Sequence, residues 1–252
     1  MTNTSMTDHA LHDLSRLGST VVTVWAHPDD ETYLSGGLSA ALRDRGVRLV
    51  CVTATRGEAG GPASDPAAAM RLAQVRTREL EHALELLGVA EHVWLNHPDG
   101  GLAAVPPEIG VAQVVRVLDE VRPDTVVTFG PEGHTGHSDH RTVSRWVDQA
   151  VRLSVANPRV LQVAVTADQL AIDPSLNDDF GVFAEGRPRV CPPEQLALRL
   201  ELGPHLLRRK VEALVRQPSQ TEGLIGAVGL ERFAAWVAIE SFAEPESHRH
   251  SA

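Results

Sequence analysis

The chain has 252 residues, 42% of them hydrophobic and 22% charged, the composition of a globular protein that can bury a core without disulfide or metal staples. Its 23 basic against 33 acidic residues give a net charge of −10. An acidic surface repels phosphate backbones and anionic headgroups, so neither nucleic acid nor membrane is an expected partner. The two cysteines, Cys51 and Cys191, form no C-x-x-C pair, which argues against a disulfide-rich secreted scaffold. The start is polar, with no apolar run of signal-peptide type, and no stretch approaches the roughly 18 apolar residues of a membrane span. The expectation is a cytoplasmic chain forming a single domain over 1–252, with a flexible leader at about 1–18 and a flexible tail at 245–252.

Short apolar runs alternate with helix-like segments. Residues 21–26 (VVTVWA) are rich in β-branched side chains and predict a buried strand. Residues 32–46 read as a helix stopped by Gly46, and 48–54 (RLVCVTA) as a second strand. A Gly/Pro/Ser-rich loop precedes a helix over 67–87 stopped by Gly88, then a short strand over 92–95, a proline-opened helix over 106–121 and a strand over 125–129. Beyond these come a helix over 139–154, a strand over 160–166, a less regular excursion over 157–189, and closing helices over 204–216 and 230–240. His248 and His250, in the tail, read as bystanders. Strand–helix alternation implies an α/β fold, Rossmann-like, with a mostly parallel sheet, helices on both faces and a less regular C-terminal part. Ligands in such sheets sit beyond the carboxyl ends of the strands, which directs attention to the loops after Ala26, Ala54, Leu95 and Phe129.

There is no G-x-G-x-x-G after the first strand, no P-loop, no G-x-S-x-G and no H-E-x-x-H, so dinucleotide, nucleotide and serine-hydrolase chemistries lose their support. Two loops stand out. The first is Ala26-His27-Pro28-Asp29-Asp30-Glu31, directly after the first strand. Its carboxylates alone would be explained as first-turn acids complementing a helix dipole, but the histidine would not. The second, Gly133 to His140, carries three histidines and Asp139 within seven residues. Packing rarely asks for that, and His137 and His140 share a helical face. Both loops open on the same side of the sheet, so His27, Asp30 and one or two of the later histidines can converge on one divalent ion. Two imidazoles, a carboxylate and an open position are a usual catalytic zinc arrangement, although Fe²⁺ or another first-row ion would accept the same donors. Of the adjacent pair Asp29 and Asp30, one is naturally a ligand and the other a base, and spacing does not say which.

These segments resemble the LmbE-like (PIG-L) zinc-dependent N-deacetylases, which include enzymes of mycothiol and bacillithiol synthesis. The resemblance rests on Ala26 to Glu31 and Gly136 to His140, and continues in Thr55-Arg56-Gly57-Glu58, Arg76-Thr77-Arg78-Glu79-Leu80 and Pro98-Asp99-Gly100. A weaker late motif follows in Lys210 to Leu214 and Ser219-Gln220. It implies one Zn²⁺ per chain on His27, Asp30 and His140, with Asp29 as general base and later acid. It also implies that His137 acts as a second acid or oxyanion stabiliser, oriented by Asp139. The implied reaction is hydrolysis of the N-acetyl group of an N-acetylglucosaminyl-type conjugate, giving acetate and a free amine. Arg76 and Asp99 would grip sugar hydroxyls, with Glu58 nearby; the plain alternative for Arg76 is a snorkelling side chain paired with Glu79.

Three departures leave the substrate open. Thr135 stands where the mycothiol-pathway enzyme has a tyrosine, Gln217 where a histidine often precedes the late pair, and residues 167–193 have no usable resemblance. The rival readings are an amidase cleaving a larger acyl group from an amino sugar, and a non-catalytic metal- or sugar-binding module. The oligomeric state is open, a homo-oligomer included.

Overall fold

The computed structural model describes residues 14–60 and 65–246. The expected leader is therefore covered only from residue 14, and His248 and His250 lie outside the described residues. The first strand forms where β-branched residues were expected: β1 is Thr20–Trp25, followed by helix α1 at Asp30–Asp44. Then come β2 (Arg48–Thr53), α2 (Pro66–Leu87), β3 (Glu91–Trp94), α3 (Pro107–Val121), β4 (Thr125–Thr128), α4 (Ser138–Leu153) and β5 (Arg159–Ala164). Among the described residues the later elements are α5 (Ala167–Leu170), α6 (Pro174–Asp179), β6 (Leu198–Glu201), α7 (Pro204–Val215), α8 (Pro218–Val228), α9 (Leu230–Trp236) and β7 (Ile239–Ala243).

The seven strands form one sheet in the order β3-β2-β1-β4-β5-β7-β6. β1 to β5 are parallel, paired in register through contacts such as Val22 with Val50 and Val22 with Val126. β7 runs antiparallel to β5 and to β6. The α/β, Rossmann-like, mostly parallel sheet expected from the sequence is present. Two corrections apply to its far edge. The expected helix over 230–240 ends at Trp236, because Ile239 and Glu240 enter β7, and α8 and β6 were not anticipated. α1, α2 and α7 pack together, and α3 packs on α4. Among the described residues no helix is long and apolar enough to cross a membrane.

Strand order reverses between β1 and β4, and a crevice opens at the carboxyl ends of such neighbours. The loops leaving these two strands carry the two histidine clusters, so the topology brings them together.

Candidate active site

The β1 loop turns at Asp29, whose φ of +117° is a region that L residues avoid. Neighbouring groups hold it there. Its N–H donates to Glu31 Oε2 at 3.0 Å, and its carbonyl accepts from the N–H groups of Thr32 and Tyr33, each at 2.9 Å. Arg76 donates to the adjacent Pro28 carbonyl at 2.5 Å and lies 3.4 Å from Asp29 Oδ1. The two adjacent carboxylates therefore diverge. Asp29 faces Arg76, while Asp30 turns back, accepts the His27 N–H at 2.8 Å and faces the histidines.

The β4 loop is threaded under the segment around Glu185. Gly136 has φ +87°, and a Cβ there would meet the Glu185 carbonyl carbon at 2.3 Å. The crossing delivers His137 as the N-cap of α4, its Nδ1 accepting the Asp139 N–H at 3.2 Å. The next turn of α4 places His140, whose ring stacks on Phe129.

The ring nitrogens can be assigned from their partners. His140 Nδ1 lies 3.0 Å from the Gly133 carbonyl and donates to it, which leaves the Nε2 lone pair facing His27 Nδ1 at 3.2 Å. His27 Nε2 lies 3.0 Å from Asp99 Oδ1 and 3.4 Å from Asp139 Oδ2, so its proton sits on that side. Asp30 spans the gap, 3.6 Å from His27 Nδ1 and 3.4 Å from His140 Nε2. Facing lone pairs repel unless a proton or a metal ion lies between them. A tetrahedral ion with bonds of about 2.0–2.1 Å sets its ligand atoms roughly 3.4 Å apart. His27, Asp30 and His140 thus fit a divalent ion. Two overlapping groups, His27 with His137 and His140, and His27 with Asp99 and Asp139, also bring ligand atoms within 4.8 Å of one another.

The surrounding carboxylates favour positive charge at His27. Burial alone would lower the His27 pKa, but Asp139, Asp99 and Asp30 outweigh it and push it up to about 10. Asp99, despite burial, is held down at about 2, and Asp139 is also lowered, both by His27. Burial raises the Asp29 carboxyl to about 7, with Arg76 opposing and Asp30 and Glu31 adding.

The residues expected to hold sugar are engaged otherwise. Arg76, only 4% exposed, donates to the carbonyls of Pro28 and Gly57. A Cβ on Gly57, at φ +68°, would strike its guanidinium at 2.3 Å. Glu79, the alternative partner, bonds Ser219 instead, at 2.5 Å from Oγ and 3.1 Å from N–H. Asp99 accepts the Ala59 N–H at 2.8 Å and faces His27; Glu58 accepts the Asp99 N–H at 3.0 Å. The expected orientation of His137 by the Asp139 carboxylate is corrected. That carboxylate accepts from Gly100 and Leu102 N–H at 2.8 and 3.1 Å and faces His27, so only the backbone N–H of Asp139 reaches His137.

Sequence reasoning missed the supports further out. Gln217 donates to Glu31 and to Thr32, each at 3.0 Å, bracing the β1 loop. Lys210 and Glu240 form a buried ion pair at 2.8 Å. A charged pair in an amphipathic helix and a strand residue gives no local signal of their meeting.

The family model described as PIG-L, GlcNAc-PI de-N-acetylase, matches residues 22–151. A 1D-myo-inositol 2-acetamido-2-deoxy-alpha-D-glucopyranoside deacetylase of Kineococcus radiotolerans is 35% identical over 54% of this chain and 46% of its own length. A probable N-acetyl-alpha-D-glucosaminyl L-malate deacetylase of Bacillus cereus is 31% identical over 60% of this chain and 70% of its own. The chain spans about half the length of the inositol-linked relatives, 46% and 54% in two of them. In fold it is similar to the N,N'-diacetylchitobiose deacetylase of Pyrococcus horikoshii, with a TM-score of 0.64 and 20% identity over 99% of this chain and 97% of the other.

Proposed function

Because the chain belongs to the PIG-L family of GlcNAc-PI de-N-acetylases, we propose that it hydrolyses the N-acetyl group of an N-acetylglucosaminyl-type conjugate, giving acetate and a free amine. The observation that carries this reading is the convergence of His27 Nδ1, His140 Nε2 and Asp30 beside a separate, partly buried carboxylate, Asp29. His27, Asp30 and His140 would hold one divalent ion, which we assign as Zn²⁺. Such an ion supplies Lewis acidity, polarising an amide carbonyl and making water acidic near neutral pH.

The chain's own groups divide the remaining work. Asp29 takes a proton from the attacking water and passes it to the leaving amine. His137 has its Nδ1 occupied as a helix cap, so its proton sits on Nε2, where it can donate to the carbonyl oxygen as negative charge develops. Asp99 and Asp139 keep His27 in the ligating tautomer. Arg76 and Glu31 hold Asp29 in its strained position. A module that only bound metal or sugar would have no use for Asp29 in that position.

Three variants test the ligand set. His27→Ala, Asp30→Ala and His140→Ala should each lower bound zinc measured by atomic emission, with acetate release from diacetylchitobiose lost in parallel. Full zinc occupancy in all three would refute the assignment. Arg76→Ala supplies a second test. Its positive charge lowers the Asp29 pKa, so removing it raises that pKa. The acid limb of kcat/KM should then move to higher pH while zinc content stays. An unmoved limb would leave Arg76 a merely structural residue.

A further inference from the structure

The ligand cluster is continuous with a cavity of about 380 Å³, whose wall includes Asp29, Asp30 and His140. That volume is in the range of small-molecule sites and far exceeds what a methyl group needs. Away from the cluster the wall is largely apolar, built from Leu170, Ile172, Val182, Phe183 and Trp236. Ile172 and the neighbouring Phe180 are 39% and 43% exposed, which is unusual for such side chains unless something covers them.

Several polar side chains of this wall are already paired within the protein. Gln169 accepts from the Thr166 N–H and the Ser241 hydroxyl and donates to the Ile239 carbonyl. Glu240 accepts from two backbone N–H groups and pairs with Lys210, and the Asn177 carbonyl oxygen accepts the Trp236 indole N–H. Nδ1 of His134 is buried without a partner. A sugar ring placed against the Leu170, Ile172, Val182 and Phe183 part of the wall would leave most of its hydroxyls without partners, whereas an alkyl chain would lose nothing.

We propose that this cavity takes the acyl side of the substrate, so that besides the acetamide the protein hydrolyses, with higher kcat/KM, amides bearing a medium-length alkyl chain. The inference rests on the amide-hydrolase reading above. A group entering the cavity directly from an amide at His140 is the one bonded to the carbonyl carbon, since the amide nitrogen leads to the sugar. The wall residues from Leu170 to Phe183 lie outside residues 22–151, the part that the family model matches. The reaction is unchanged in kind. The water oxygen bonds to the acyl carbon, the C–N bond breaks and a proton passes through Asp29 to the amine, leaving an alkanoate and a free amino sugar.

The test uses the zinc-loaded protein with N-acetyl-, N-butanoyl- and N-octanoyl-glucosamine, and with the octyl glycoside of N-acetylglucosamine, following amine release. kcat/KM should rise about fourfold per added methylene of the acyl chain. Ile172→Asp should lower the octanoyl-to-acetyl ratio at least tenfold, and Ile172→Val should preserve it. A flat or falling dependence on acyl length overturns the proposal. So does a larger gain from the octyl glycoside, which would make the occupant the aglycone. If no amide is hydrolysed, acetamides included, the amide-hydrolase reading itself has failed. The cavity's occupant is then decided by calorimetry, in which octanoate should bind about 10²-fold tighter than butanoate; equal affinities would overturn it.

Discussion

Asp29→Asn should retain its zinc and lose about 10²–10⁴-fold in kcat, the usual worth of a positioned proton acceptor, whereas Asp30→Ala should lose the zinc. The two carboxylates are neighbours in sequence but not in environment. Asp30 stands 3.6 and 3.4 Å from the two inward ring nitrogens, and Asp29 is turned to Arg76 at 3.4 Å. Asparagine keeps the shape of Asp29, including its backbone hydrogen bonds to Glu31, Thr32 and Tyr33, so the strained turn should survive. What is lost is the acceptor. The pH profile supplies an independent reading. A base must be ionised to act, so kcat/KM falls as pH drops through the Asp29 pKa. Burial raises that pKa to about 7 in the metal-free protein, and a divalent cation nearby brings it down. The acid limb should therefore lie below pH 7 and vanish in Asp29→Asn. Equal zinc loss in the Asp29 and Asp30 variants would make both ligands and move the search for the base to His137.

The central sheet was legible because β1, β2, β4 and β5 are short β-branched runs separated by periodic helices with glycine stops, and both properties are local. The far edge was not. β6 (LRLE) is only four residues long, and β7 (IESFA) follows a helix whose apolar spacing runs on smoothly into it. Its strand state is decided by pairing with β5 and β6, distant in sequence. α8 could have been read from Pro218 at its first position, but Gly223 and Gly226 weaken its pattern. At the site, histidines on two strand-end loops that flank the switch point announce themselves. The direction of the Asp99 and Asp139 carboxylates does not, nor does the partner of Arg76. Spacing tells which residues share a face, not which of two acceptors a buried donor will meet.

Lys210→Met should destabilise the protein by about 3–5 kcal/mol, the usual cost of leaving one member of a buried ion pair alone, or a fall of about 6–20 °C in Tm. Lys210 Nζ lies 2.8 Å from Glu240 Oε1, and both side chains are 1% exposed. The reason a charge is buried here lies in α1. At Ser35 the backbone leaves the helical region, with φ −146°, and the break frees the N–H groups of Gly37 and Leu38. Those two donate to the two oxygens of Glu240, each at 2.7 Å. The carboxylate thus acts as an internal cap from β7 for the second half of α1, and Lys210 from α7 neutralises it. Without the lysine, two backbone donors alone would face a buried anion. In the double variant Lys210→Met with Glu240→Gln, one amide oxygen can still accept from the break and no charge remains, so much of the loss should return. Because the break separates the turn carrying Asp29 and Asp30 from the rest of α1, the single variant should also lower zinc affinity, and the double variant should restore part of it. Denaturant unfolding read together with zinc titration checks both. A Lys210→Met protein within about 1 kcal/mol of the parent, well under the usual loss for a broken buried pair, would show that Glu240 is satisfied by the helix break alone.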